Sequence, residues 1–193
     1  MEQKRVVLLF GSPHTNGATA KLLDVFLQTA ESVGNVQISR FDAYRGNYHP
    51  CTACGFCQKQ EACVFPDLND FDAELRQADT IVVASPVYGL SFPSPLKAIM
   101  DRWQRYYEAR FALGIRHPIR KPKTAVLLTA YGSTDADGVA IMQRQLQLSF
   151  SVMNTTLLEV VAWPDTDHIG SDNLPPHIAE QARRAALAML GKI

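Results

Sequence analysis

Three stretches of this chain, residues 6–10, 80–84 and 124–129, are almost wholly apolar, with none of the alternation of a half-exposed strand. A strand apolar on both faces has to be covered on both faces, as in a parallel sheet layered between helices. The intervening segments have the period such a sheet requires. Leu22, Leu23, Phe26, Leu27 and Ala30 recur at helical spacing over 18–32. Phe71, Leu75 and Ala78 mark a short helix, with Asn69 as its expected N-cap. Ser94 and Pro95 read as cap and first-turn proline of a helix whose face is Leu96, Ile99, Met100, Trp103 and Tyr107. Met142, Leu146 and Met153 mark a further helix, and 176–190 a closing one. Val36 and Ile38 alternate with Gln37 and Ser39, as on an edge strand, and 156–162 reads as the last strand.

Five strands interleaved with helices predict an α/β fold: a three-layer, doubly wound, five-stranded parallel sheet. Right-handed crossovers and an edge position for 36–41 select the order 2-1-3-4-5, the flavodoxin-like arrangement, with ligands bound beyond the carboxyl ends of the strands. At 193 residues, with no repeat, linker or low-complexity tract, the chain reads as one domain spanning 1–193.

Charge narrows the function. Nineteen Lys and Arg balance nineteen Asp and Glu, which argues against a generally basic nucleic-acid binder. No apolar run approaches the ~18 residues of a membrane span, and residues 6–10 are too short for a signal-peptide core, so a cytoplasmic location is expected.

The expected ligand edge carries three loops. The first, 11–19, follows a strand and opens a helix, the setting in which backbone N–H groups and the helix dipole grip a phosphate. Ser12, Thr15, Asn16 and Thr19 add side-chain donors. It is neither a Walker loop nor G-x-G-x-x-G. The second loop, Ser85, Pro86, Val87, Tyr88 and Gly89, combines a stiff turn, an aromatic face and a glycine for close backbone approach. A flat ring with polar edges would suit that shelf. The third, Ala130, Tyr131, Gly132 and Ser133, supplies another glycine and more donors.

Gly-Ser-Pro-x-x-Asn-Gly-x-Thr after the first strand, Ser-Pro-Val-Tyr-Gly after the third, and the run 96–102 together resemble the NADPH-dependent FMN reductase and iron–sulfur flavoprotein family over about residues 5–135. The resemblance implies that Ser12, His14, Asn16, Gly17, Ala18 and Thr19, with Thr15 in the same loop, hold the FMN phosphate. Pro86, Val87, Tyr88 and Gly89 would line the isoalloxazine, and Ala130, Tyr131 and Gly132 would close its other side. Many family members carry Arg or Lys where this chain has His14, which implies a phosphate site relying on neutral donors, with weaker and more pH-sensitive binding.

All four cysteines, Cys51, Cys54, Cys57 and Cys63, fall in an insertion at about 43–68, with spacing C-x2-C-x2-C-x5-C. Soft thiolates in a compact loop suit an iron–sulfur cluster, and the spacing resembles that of flavoproteins binding [4Fe-4S] beside FMN. Relatives also keep cysteines here without a cluster, and positions three apart could bury thiols along a helical turn. Unliganded thiols therefore rank ahead of a cluster, and structural zinc behind it.

The expectation is an FMN-dependent oxidoreductase passing electrons from NAD(P)H to a small acceptor such as a quinone, nitro compound or flavin. The flavin carries the chemistry, so no catalytic side chain is required. A homodimer or homotetramer is implied by the resemblance. The alternative is a flavodoxin-like electron carrier serving a protein partner. Seven Arg and Lys between 102 and 123, against Glu108, read as a solvated face or as an attractor for NADPH phosphates. No hydrolase elbow or H-E-x-x-H helix occurs.

Overall fold

The computed structural model describes residues 3–193. Its sheet has five parallel strands, β1 (Lys4–Phe10), β2 (Val36–Asp42), β3 (Thr80–Pro86), β4 (Lys123–Ala130) and β5 (Thr155–Trp163), in the order β2-β1-β3-β4-β5. Phe10 pairs with Ala84, and Ala84 with Leu128, so the three apolar strands lie side by side at the centre. The helices are α1 (Ala18–Val33), α2 (Asn69–Gln77), α3 (Ser94–Asp101), α4 (Gln104–Phe111), α5 (Asp137–Phe150) and α6 (Pro176–Met189).

Alternate strand residues feed two separate cores. Val6, Leu8 and Phe10 pack under α1 and α6, against Leu22, Phe26, Ala182 and Ala186. Val7 and Leu9 point to the other face, under Phe71, Leu96, Ile99, Trp103, Met142 and Phe150. Each fully buried Leu or Phe contributes about 1.5–3 kcal/mol, so this double coverage supplies much of the fold's stability.

Several local expectations are corrected. Asn69 is the first helical residue of α2 rather than its cap, because a 3-10 turn, Pro66–Leu68, leads straight into the helix. Ser94 likewise lies inside α3, preceded by Pro93, and neither position has a side-chain capping bond. Tyr107 is 47% exposed, not part of the buried face. The chain tightens after α3, with Arg102 N–H donating to Ile99 and Trp103 N–H to Met100, and α4 restarts in a new phase that buries Tyr106 instead. Met153 is buried but lies beyond the end of α5.

The basic stretch is a solvated face only in part. Arg102, Arg105 and Lys123 are buried. Arg102 pairs with Asp67 at 2.8 Å, and Lys121 is bonded to the Gln77 carbonyl. Arg110, Arg116 and Arg120 remain exposed. No described helix is long and apolar enough to cross a membrane.

Candidate functional site

The carboxyl ends of β1, β3 and β4 open into turns that stay hydrogen-bonded to one another. Gly11 N–H donates to Ala84, Val87 N–H to Ala130, and Tyr131 N–H to Trp163. The three loops therefore converge at one edge, around a crevice of about 660 Å³. Its lining includes Ser12, His14, Thr15, Asn16, Gly17, Ala18, Thr19, Pro86, Val87, Tyr88, Ala130, Tyr131 and Gly132.

At the first loop, Ser12 is buried, and its Oγ accepts the His14 amide hydrogen at 3.2 Å, closing the turn. Residues 13–16 are exposed, while Thr19 is buried one turn on. Gly17 caps α1 in extended conformation and offers no side-chain acceptor. The first-turn amides of α1 consequently lack a side-chain partner, and with the helix dipole they form a ready anion cradle. Gly11 must be glycine, because a Cβ there would strike the Leu96 side chain of α3.

The second loop reverses tightly. Tyr88 and Ser91 exchange both backbone hydrogen bonds, with Gly89 and Leu90 at φ +53° and +61°. Gly89 therefore serves the turn's left-handed conformation rather than the crevice, which it does not line. Tyr88 is 46% exposed and presents its ring to the opening. Gly138 on α5 lets that helix approach, since a Cβ there would meet Val87 and the Leu90 backbone.

The third loop is backed by a segment the sequence reading missed. Residues 164–173 follow β5 and bond to the third loop: Asp165 N–H to Ser133, Thr166 N–H to Tyr131. Thr166, Asp167 and Ser171 line the crevice, and the Asp167 carboxylate occupies the space a Gly132 side chain would need. Lys21 of α1 ties the segment from the other side, donating to the Ser171 carbonyl at 2.6 Å and the Asp172 carbonyl at 3.1 Å. The available signal was topological, since every strand-end loop of a parallel sheet reaches the same edge. Burial, then the Asp135 carboxylate, push the Tyr131 phenol up, so it stays a neutral O–H near neutral pH.

The cysteines occupy a second cavity, of about 360 Å³, lined by Cys51, Cys54, Cys57 and Cys63 together with Arg102 and Arg105. All four are free thiols; Cys51 and Cys54 are exposed and the other two half-buried. The expectation of thiols buried along a helical turn is overturned, because only Phe56–Gln58 forms a turn of 3-10 helix and none of its residues is buried. Burial, with Glu108 adding, pushes the Cys57 thiol up. Among the described residues no three His, Cys, Asp or Glu side chains stand close enough to share one metal ion. His117 and His177 are exposed and serve neither cavity.

A 2-1-3-4-5 sheet with an uncapped helix N-terminus and two further loops around one crevice defines the flavodoxin-like class of α/β proteins. Within it, this chain belongs to the NADPH-dependent FMN reductase family, which matches residues 4–166. It is 32% identical over 130 residues to an iron-sulfur flavoprotein of Methanosarcina thermophila, covering 67% of this chain and 64% of that protein. An FMN-dependent NADH:quinone oxidoreductase of Photorhabdus laumondii is 27% identical over 167 residues, 86% of this chain and 78% of that one. The fold superposes on NAD(P)H:quinone oxidoreductase from Methanothermobacter marburgensis with a TM-score of 0.69 at 20% identity, covering 96% and 95% of the two chains. The chain thus spans less than two thirds of the length of the iron-sulfur flavoprotein it matches.

Proposed function

We propose that this chain is an FMN-dependent oxidoreductase that takes electrons from NAD(P)H and delivers them to a small acceptor, a quinone being the best-supported class. The observation that carries the reading is the crevice of about 660 Å³, in which the uncapped start of α1 meets the second and third loops. Its size lies in the range of about 300–1,000 Å³ typical of cofactor sites. FMN bound there would supply the hydride and electron chemistry.

The residues divide the remaining tasks. Amides of 15–19, with the Ser12, Thr15, Asn16 and Thr19 side chains, would hold the phosphate. Tyr88 would offer its ring to the flavin plane, with Pro86 and Val87 beneath. Ala130, Tyr131 and Gly132 would close the far side and exclude water. No side chain is assigned an acid or base role. Assembly as a homodimer or homotetramer belongs to the same reading, and the exposed Tyr107, Phe111 and Leu148 are supporting features.

The test is an FMN titration followed by steady-state NADH and NADPH oxidation with a quinone. Asn16→Leu with Thr19→Val is expected to weaken FMN by about 1–3 kcal/mol. Unchanged affinity would overturn the phosphate assignment, and FMN reduced only through a protein partner would favour the electron-carrier alternative.

A second reading concerns the cysteine cavity, and one feature favours it. All four cysteines line it, together with Arg102 and Arg105. Four thiols spread around one cavity suit a thiolate-held cluster better than a single zinc ion, which needs its ligands gathered at ~2.3 Å. On this reading, which ranks behind unliganded thiols, Cys51, Cys54, Cys57 and Cys63 would hold [4Fe-4S]. Iron analysis of anaerobically purified protein tests this, with Cys54→Ala expected to lose the metal.

A further inference from the structure

The segment carrying the cysteines has almost no regular structure, so something other than a helix or strand must hold its thiols in place. Arg102 does much of this. It follows α3 immediately and is 3% exposed. One guanidinium nitrogen, Nη1, donates to the His49 carbonyl at 3.0 Å and to Asp67 Oδ1 at 2.8 Å. The other, Nη2, donates to the Phe65 carbonyl at 2.8 Å. His49 lies two residues before Cys51, and Phe65 two residues after Cys63. A single side chain therefore ties the two ends of the cysteine segment together.

Neighbouring contacts reinforce the junction. The His49 and Phe65 rings stack at 4.7 Å with 4° between their planes. Asp67 accepts the His49 amide hydrogen at 2.6 Å and so holds its own carboxylate against Arg102. One turn further on, Arg105 Nη2 donates to the Glu61 carbonyl at 3.1 Å, fixing the loop between Cys57 and Cys63. Asp67 and Asp72 balance the two guanidinium charges, at 2.8 Å and 3.4 Å. A lysine could not reproduce this, because its single ammonium cannot span two carbonyls and a carboxylate in a planar fork.

We propose that Arg102 is the positioning residue of the cysteine cavity: its fork clamps the loop ends and so fixes the arrangement of the four thiols. The clamp stands on contacts within the chain. Its action on a cluster rests on the second reading above.

The experiment uses the full chain loaded with FMN, as wild type, Arg102→Gln, Arg102→Lys and Arg105→Gln. Each is treated anaerobically with ferrous iron and sulfide, gel-filtered, assayed for iron and titrated for the midpoint potential of any iron–sulfur signal. In parallel, the metal-free proteins are alkylated and the reaction of the four thiols is timed. Arg102→Gln is expected to lose iron on gel filtration and to react at its thiols about tenfold faster, as local opening of the loop requires. Arg102→Lys should recover part of both properties. Arg105→Gln, which leaves the Arg102 fork in place, should retain iron and near wild-type thiol rates.

Iron content, midpoint and thiol rates all unchanged in Arg102→Gln would overturn the proposal and leave the cluster reading intact. A wild type that takes up no iron would sink the cluster reading, while faster alkylation in Arg102→Gln would still support the clamp, and unchanged alkylation would overturn it. Should Arg102→Gln fail to fold by circular dichroism, Arg102→Lys and Asp67→Asn decide by the same thiol rates: acceleration supports the clamp, and wild-type rates overturn it.

Discussion

Gly132 has no side chain because the Asp167 carboxylate stands where its Cβ would be. Asp167 is itself exposed, so its carboxylate can swing aside. Gly132→Ala should therefore displace that side chain and change FMN affinity by no more than about 0.5 kcal/mol. Fluorescence titration with FMN checks this. At the opposite end, His14 is exposed beside the α1 cradle, with no fixed cation among the phosphate-loop residues. His14→Arg should tighten FMN by about 1–2 kcal/mol, because a guanidinium makes charge-assisted bonds to phosphate. That gain should shrink at high salt.

At the scale of elements, strands were the most legible part of the sequence. Uninterrupted apolar runs such as 6–10 have few alternative uses, and β1, β3 and β4 follow them. Helix starts were less legible. Asn69 and Ser94 have the chemistry of caps, but a 3-10 turn at Pro66–Leu68 runs straight into one helix and the extended Pro93 takes the cap position before the other. Charge was the least legible. A row of arginines looks the same in sequence whether it meets water or, as at Arg102 and Arg105, carbonyls of a loop 37 and 44 residues away. The candidate site was readable where it sat on β1, β3 and β4, and unreadable where residues 164–173 complete it, since that segment has no glycine-rich signature.

The loop clamp also has a pH dependence. Burial raises the Asp67 carboxyl, but the His49 amide and the Arg102 guanidinium outweigh it and hold the carboxyl below its ordinary value. A depressed folded value means the stabilisation is complete above about pH 4 and is lost as pH falls through the folded value. Asp67→Asn should therefore melt at a lower temperature than wild type at pH 6, with the difference closing toward pH 3; thermal scans across that range test it.

The whole molecule stands on two cores separated by the sheet, and a charge at the amino edge works against it. Lys123 is 4% exposed; burial, then Lys121, push its pKa down to about 8. The folded chain therefore binds fewer protons than the unfolded chain between about pH 8 and 10.4, and stability rises with pH through that window. Lys123→Met lacks this rise, so wild type should gain about 1–2 kcal/mol relative to the variant between pH 7 and 10. Urea denaturation at each pH measures the difference.

Lys21 grips carbonyls of Ser171 and Asp172, and α6 seals the core beneath α1, the helix proposed to hold the phosphate. Shortening the gene product at residue 166, where the family match stops, would remove both at once. The remnant would expose Leu22 and Phe26 and have no anchor for the crevice's outer wall. Engineers wanting a minimal redox cassette from this scaffold should therefore keep the last helix, or replace its greasy underside with a grafted one.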